Sequence, residues 1–124
     1  MKIITLHCDY IKFKALKKAV KGAEELSSKD EIEVKEPLVV LTAIENGDNE
    51  ETLKNLISAV EKTAKDVKAK NIVLYPYAHL SSNLASPNQA LADLLKAEKE
   101  LKKKFKIVER APFGYYKSFE LKVK

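Results

Sequence analysis

Residues 37–44 read PLVVLTAI, an unbroken apolar run in a chain whose residues are 33% charged. A run of this kind, rich in β-branched residues, predicts a strand buried on both faces at the centre of a sheet. The stretch 71–75, NIVLY, has the same character. Between the two strands, Asn49 or Asp48 can cap a helix that ends near Lys70. The apolar face of this helix comprises Leu53, Leu56, Ile57, Val60, Ala64 and Val67.

The residues before this unit predict two further strands. Lys2–Cys8 is apolar and β-branched, which predicts an opening strand that Asp9 ends. Ile11–Ala15 alternates between apolar and charged side chains, as is typical of a strand with one face in water. Lys17–Asp30 is polar and has no clean period, so it predicts an irregular, exposed connection with room for a short helix.

The residues after the unit predict a loop, a second helix and two strands. The loop covers Tyr77–Ser86, and Pro87 begins the helix with the last loop residue as its N-cap. Strands follow at Lys106–Ala111 and Tyr115–Val123, with a turn at Pro112–Gly114 between them. The apolar face of the second helix comprises Ala90, Leu91, Leu94, Leu95 and Leu101.

The predicted order of elements is therefore β-β-β-α-β-α-β-β. A mixed sheet with two main helices is an α/β fold, here a compact two-layer sandwich, and 124 residues suit a single domain. No apolar run approaches the ~20 residues of a membrane span. The lone Cys8 predicts a small buried hydrophobe and favours the reducing cytoplasm. The net charge of +5 is a mild indication of a polyanionic partner.

Several familiar chemistries have no motif in this sequence. The chain lacks a Walker A sequence, a GxGxxG, an HExxH and a GxSxG. One cysteine and two distant histidines cannot form a closed zinc site. We therefore predict neither a metal nor a nucleotide cofactor.

Two clusters of polar and aromatic residues remain as candidate sites. Residues 75–82 read YPYAHLSS, and residues 111–119 read APFGYYKSF. Each cluster follows the end of a predicted strand, where α/β sheets usually place ligand sites. Tyr115 and Tyr116 point to opposite faces of a regular strand, so one belongs to the core and the other to a pocket.

The residues alone leave plain structural roles open beside these functional ones. A lone His79 after a strand is more often a hydrogen-bonded loop residue than a catalyst, and most lysines placed like Lys117 face water. His7 closes a buried strand, either as a structural histidine or as a pocket wall. Lys102–Lys104 is either a solvated helix end or a phosphate contact. Ser81 and Ser82 are typical turn or cap residues.

The two clusters together resemble the N-terminal editing domain of archaeal threonyl-tRNA synthetase, and the opening residues 7–10, HCDY, match as well. The resemblance covers essentially the whole chain. It implies a fold like that of D-aminoacyl-tRNA deacylase, a homodimer, and hydrolysis of mischarged L-seryl-tRNA(Thr), with the seryl-adenosine end of the tRNA as the partner. A second hydrolytic step is needed because one methylene gives a binding pocket only ~1–3 kcal/mol of discrimination.

The resemblance also assigns roles to residues. Lys117 is implied to be the main catalytic side chain, with Tyr116 and His79 binding the terminal adenosine or ordering water. The nucleophile is implied to be water, assisted by the 2′-hydroxyl of the tRNA, without a metal, a cofactor or a covalent enzyme intermediate. The residues implied to bind the substrate are Pro76, Tyr77, Ala78, Phe113, Gly114, Tyr115 and His7.

One departure from the family's pattern leads to two alternatives. In the family, the chain continues through a Gly-His-Pro segment to an acidic residue that joins the lysine, whereas this sequence ends at Lys124. We therefore expect one editing domain over residues 1–124 that lacks this extension and the synthetase domains. The alternatives are a free-standing D-aminoacyl-tRNA deacylase and a non-catalytic tRNA-binding or dimerisation module.

Overall fold

The computed structural model describes residues 1–124 as a six-stranded sheet and two long helices, joined in the order strand, strand, strand, helix, strand, helix, strand, strand. A short 3₁₀ turn at Ala78–Leu80 follows the fourth strand. The bounds are β1 Lys2–Lys18, β2 Ile32–Lys35, β3 Pro37–Ala43, α1 Glu50–Val67, β4 Asn71–Pro76, α2 Pro87–Lys102, β5 Ile107–Arg110 and β6 Tyr115–Val123.

The sheet has the strand order β2-β1-β3-β4-β5, and β6 also pairs with β1. The pairs β3–β4 and β4–β5 are parallel, with α1 and α2 as the crossovers, whereas β1 is antiparallel to all three of its neighbours. Three parallel strands place their carboxyl ends at one edge of the sheet, which is the edge where open α/β sheets bind ligands.

The prediction of two short opening strands is wrong, because β1 continues through Asp9 as one strand. Residues 2–7 pair with β3, and residues 8–18 pair with β6, with an irregular register between Cys8 and Tyr10. Asp9 therefore marks a change of partner within a strand. The short β2 was not predicted, and residues 19–31 are irregular as expected but contain no helix.

Both helices begin where their caps predict. The Asn49 side chain accepts hydrogen bonds from the backbone N–H groups of Glu51 and Thr52, and the Ser86 hydroxyl accepts one from the N–H of Gln89. The first helix ends at Val67, slightly before the predicted end.

On the second helix the predicted face needs one correction, because Leu95 is 46% exposed. The buried residues Ala90, Leu94, Ala97 and Leu101 recur every three or four positions, and Leu95 lies one step around the helix from them.

The sheet separates two hydrophobic clusters, because successive side chains of a strand point to opposite faces. Helices α1 and α2 cover one face, where they pack on Leu38, Val40 and Ile72 among others. On the other face, Val39 and Tyr75 pack against Cys8 and Phe13 of β1, so the sheet folds over itself on that side. The predicted α/β class with a mixed sheet and two helices is confirmed, and Cys8 is buried.

Candidate functional site

A cavity of about 510 Å³ lies at the carboxyl edge of the parallel strands. Its walls come from the ends of β3 and β4, from the start of α2 and from the turn that leads into β6, and most of its lining residues are apolar. Nine of the ten predicted site residues line it, namely Pro76, Tyr77, Ala78, His79, Phe113, Gly114, Tyr115, Tyr116 and Lys117. The fold therefore brings together two clusters that are separated by 28 residues in the sequence.

The first wall is the segment that follows β4. The N–H of Tyr77 donates to the carbonyl of Thr42 at 2.8 Å, which continues the contact between the ends of β4 and β3. The ring of His79 meets that of Tyr77 edge to face, with centroids 5.3 Å apart, and the side chain is exposed. The Ser81 hydroxyl donates to Glu45 and accepts from the N–H of Asn83, so Ser81 acts as a turn residue.

The second wall is the turn before β6, and its backbone requires glycine at Gly114. This residue has a φ of +83°, and a Cβ added to it would lie 2.7 Å from the Cα of Ala23. The carbonyl of Gly114 accepts a hydrogen bond from the N–H of Ala19 at 2.7 Å. The turn is therefore pressed against the irregular segment after β1.

Lys117 points its ammonium into this site. Its Nζ donates to the carbonyl oxygen of Pro112 at 2.9 Å and to that of Tyr115 at 3.4 Å, and it lies 5.1 Å from the centroid of the Tyr75 ring. Burial lowers the pKa of Lys117 to about 8, although the negative charge of Glu24 acts in the opposite direction. An ammonium carries three N–H groups, so one remains for a ligand.

Glu24 supports the second wall from outside the cavity, a role that the sequence did not reveal. Its carboxylate accepts hydrogen bonds from both terminal nitrogens of Arg110 and from the N–H of Phe113. Its backbone carbonyl accepts a hydrogen bond from the Tyr115 hydroxyl. Burial alone would raise the pKa of Glu24, but the hydrogen bonds from Arg110 and Phe113 outweigh burial and lower it. Arg110 also donates to Glu98 of α2 at 2.8 Å. The network thus ties the second wall to a helix and to the irregular segment.

The two tyrosines at the start of β6 lie as the alternation predicts. Tyr115 is 7% exposed and is held by Glu24, whereas Tyr116 is 55% exposed at the rim of the cavity. The Nζ of Lys17 lies 5.6 Å from the centroid of the Tyr116 ring. Tyr116 therefore offers a free aromatic face beside the cavity.

Two predicted sites lie elsewhere in the molecule. His7 is half-buried in β1 opposite Leu38 and does not line the cavity. The basic end of α2 is partly paired, since Lys102 contacts Glu98 and Lys103 contacts Glu100. No helix of the chain is both long and apolar enough to cross a membrane.

The folded-over mixed sheet, with two helices on one face and a cavity at its carboxyl edge, is the fold that the resemblance implied, a fold like that of D-aminoacyl-tRNA deacylase. A solved structure titled "c-Myc DNA Unwinding Element Binding Protein" shares this fold, with a TM-score of 0.77 over 98% of this chain and 91% of that chain. The two sequences are only 13% identical, so the similarity concerns the fold alone.

The model of the archaea-specific editing domain of threonyl-tRNA synthetase matches residues 1–124, and the chain belongs to this family. It is 40% identical over its full length to a threonine–tRNA ligase of Nitrosopumilus maritimus and 45% identical over 98% of its length to one of Staphylothermus marinus, spanning 20% of each. It is 44% identical over 98% of its length to a threonine–tRNA ligase editing subunit of Saccharolobus solfataricus, of which it spans 31%. The resemblance that the two clusters predicted is thus confirmed.

Proposed function

We propose that this chain hydrolyses mischarged L-seryl-tRNA(Thr) and spares L-threonyl-tRNA(Thr). The observation that carries the proposal is the meeting of the two clusters around the Lys117 ammonium in one cavity, in a chain of the editing family. A cavity of about 510 Å³ is large enough for an amino acid with part of a nucleoside, and concave sites of this size are typical of small ligands.

The proposed chemistry is attack of water on the aminoacyl ester. A bond forms between the water oxygen and the carbonyl carbon, the bond from that carbon to the 3′-oxygen of the ribose breaks, and the proton from water passes to the leaving oxygen. The 2′-hydroxyl of the same ribose assists the transfer. The products are free serine and uncharged tRNA(Thr), so the reaction balances without an oxidant or a cofactor.

Lys117 would supply electrostatic stabilisation in this reaction. Two carbonyl oxygens fix its ammonium, and the remaining N–H can donate to the attacking water or to the oxyanion that develops on the carbonyl. The apolar lining strengthens such an interaction, because the local dielectric constant is lower than that of water. The ammonium needs no reorganisation when charge develops.

The other cavity residues would bind the substrate. Backbone groups of Pro76, Tyr77 and Ala78 on one side, and of Phe113 and Gly114 on the other, flank the space for the amino acid. Tyr115 shapes this wall from its buried position. Tyr116 and His79, which are exposed at the rim, would bind the terminal adenosine.

The proposal also covers the cofactor, the assembly and the location of the chain. It requires no metal, so EDTA should leave the rate unchanged, and a loss of activity that added Mg²⁺ or Zn²⁺ restores would contradict this point. We propose a homodimer, which light scattering would detect as twice the chain mass of 14.0 kDa. We place the domain in the cytoplasm, where its proposed substrate is made.

The test is deacylation of L-seryl-tRNA(Thr), L-threonyl-tRNA(Thr) and a D-aminoacyl-tRNA by the wild type and by two lysine variants. Lys117→Met should reduce hydrolysis of the seryl ester by about 10²-fold or more, as removal of an oxyanion donor does in other hydrolases. Lys122→Met is the matched control, because Lys122 lies on the same strand near Asp9 and outside the cavity.

Each alternative function has its own outcome in this experiment. Preferential loss of the D-ester would favour a D-aminoacyl-tRNA deacylase. Binding of a seryl-adenosine analogue without hydrolysis of any ester would favour a binding module. Equal effects of Lys117→Met and Lys122→Met would contradict the role of Lys117.

A further inference from the structure

A second concave surface adjoins the cavity at Tyr116. This basic groove has a volume of about 690 Å³ and is formed by the end of β1, by part of the irregular segment that follows it and by the start of β6. Tyr116 lines both the groove and the cavity, so the two concavities share a wall. The groove is lined by Lys14, Ala15, Leu16, Lys17, Lys29, Asp30 and Tyr116.

The basic groove carries positive charge that the protein itself does not neutralise. Three lysines face one carboxylate, and none of Lys14, Lys17 and Lys29 forms an ion pair. The neighbouring Lys18, by contrast, is paired with Glu25 at 3.2 Å. A concave surface with unpaired cations attracts a polyanion rather than a neutral or basic partner.

An exposed aromatic ring lies among these cations. Tyr116 is 55% exposed, and the Nζ of Lys17 lies 5.6 Å from its ring centroid. Leu16 is the extra residue where the register between β1 and β6 shifts, and it is 51% exposed. Aromatic faces for stacking beside lysines for phosphates are the two elements that proteins combine to bind single-stranded nucleic acid.

We propose that the basic groove binds the single-stranded nucleotides that precede the aminoacylated terminal nucleotide of the tRNA. Lys14, Lys17 and Lys29 contact the phosphates of these nucleotides, and Tyr116, on the rim that the groove shares with the cavity, holds the terminal adenosine. The inference rests on the proposed function, because it requires an RNA 3′ end in the cavity. A strand that leaves the cavity crosses its rim, and Tyr116 is the part of that rim that continues into the groove.

The test uses RNA probes of one, two and three nucleotides that end in 3′-seryl-amide adenosine. An amide replaces the ester of the substrate in these probes, so that binding is measured without ester hydrolysis. For the wild type, affinity should rise with each added nucleotide. Replacement of Lys14, Lys17 and Lys29 by Gln should weaken binding of the longest probe by about tenfold, since each exposed charge pair contributes modestly. Its salt dependence should become less steep by about 0.7 for each phosphate that the variant no longer neutralises. Binding of the one-nucleotide probe should stay unchanged.

The control removes the same charge at the other end of the molecule. Lys70, Lys104 and Lys106 are exposed, form no ion pair and lie in the ranges 61–70 and 98–106. These ranges hold nine lysines against four carboxylates, so they form a second basic region of the chain, away from the groove. Replacement of the three control lysines by Gln should leave the affinity for every probe at the wild-type level.

Five outcomes would decide the matter. Equal losses in the two triple variants, or no gain from added nucleotides in the wild type, would overturn the inference while the one-nucleotide probe still supports the proposed function. If the wild type is a dimer and the groove variant is a monomer with unchanged RNA binding, the inference is also overturned, because the groove would then be a protein interface. If the one-nucleotide probe does not bind, but a trinucleotide without the seryl group binds and loses affinity in the groove variant, only the proposed function is contradicted. The tenfold, length-dependent loss confined to the groove variant supports the inference.

Discussion

Lys117 shows how a single side chain acquires its chemistry from its surroundings. Its sequence context is an alternating strand, in which most lysines face water, yet the fold buries the ammonium against the Tyr75 ring and two carbonyl oxygens. No carboxylate forms an ion pair with it, so burial dominates and the pKa of Lys117 falls to about 8. The residue therefore remains a cation at neutral pH and loses its proton not far above it.

The pKa predicts how hydrolysis depends on pH. If the Lys117 ammonium stabilises the oxyanion, the enzymatic rate should fall as the pH rises through about 8, because deprotonation removes the positive charge. Single-turnover rates between about pH 6 and pH 9 would measure this, after subtraction of spontaneous ester hydrolysis at each pH. A net rate that keeps rising in parallel with hydroxide would contradict an ammonium role.

Glu24 is predicted to position the second wall and to support the charge of Lys117. Glu24→Gln removes charge-assisted hydrogen bonds to Arg110 and should lower the free energy of unfolding by about 2 kcal/mol. Because the Glu24 charge raises the pKa of Lys117, the same variant should also move the fall in rate to lower pH. Chemical denaturation and the pH–rate profile measure the two effects separately.

The matched control for Glu24 is its sequence neighbour. Glu25 forms an exposed ion pair with Lys18, and Glu25→Gln should change neither the stability nor the pH–rate profile measurably. A Glu24→Gln variant that loses stability but keeps the wild-type pH profile would limit Glu24 to a structural role.

At the scale of elements, the sequence predicts best where local patterns and final contacts agree. Asn49 caps α1 through neighbouring N–H groups, and the run 37–44 is buried whichever strands flank it, so both predictions hold. Asp9 is polar and suggests a strand end. The strand nevertheless continues through Asp9, because β6, which is distant in the sequence, pairs with the residues that follow. β2 has only four residues and depends on β1 for its pairing, so its local signal is weak.

The candidate site likewise has parts that local sequence patterns predict and parts that they do not. Both clusters carry local turn and strand signals, and eleven of their residues line the cavity. Glu24 lies in a polar segment without a period, and its partner Arg110 is 86 residues away. The role of Glu24 arises only in the folded molecule, so sequence reasoning had no signal for it.

The turn before β6 gives a prediction for a single element. Gly114→Ala should destabilise the fold and reduce hydrolysis, because a φ of +83° disfavours alanine and the new methyl group would lie 2.7 Å from the Ala23 backbone. We expect a loss of about 3 kcal/mol from the strain and the clash together. Thermal or urea unfolding of the purified variant measures it.

Gly47→Ala separates strain from crowding. Gly47 has a φ of +89° but open space around its missing side chain, so its alanine variant should lose only about 1 kcal/mol. Equal losses in the two variants would show that the contact of Gly114 with Ala23 does not contribute.

At the scale of the whole molecule, positive charge lies in two regions. Nine lysines against four carboxylates give the ranges 61–70 and 98–106 a charge of +5, and residues 12–21, which lead into the basic groove, hold five lysines and no carboxylate. The cavity itself lies at the carboxyl ends of β3 and β4 and has a mostly apolar lining. Overall charge therefore does not locate the site, whereas the topology of the parallel strands does.

The topology also explains why two distant clusters meet in one cavity. The parallel strands β3, β4 and β5 end at a common edge, and the short turn after β5 returns the chain along β6 past that edge. The first cluster follows β4, and the second includes this turn. Strand order alone thus brings Lys117 beside the Pro76–His79 segment.

Competition between the two esters tests the central claim most directly. A mixture of L-seryl-tRNA(Thr) and L-threonyl-tRNA(Thr), each with its own amino-acid label, would be incubated with the wild-type chain, and the release of each label followed in the same tube. The account predicts that serine is released much faster than threonine, and that Lys117→Met removes the difference. Release of both amino acids at the same rate, or only at the rate without protein, would contradict it.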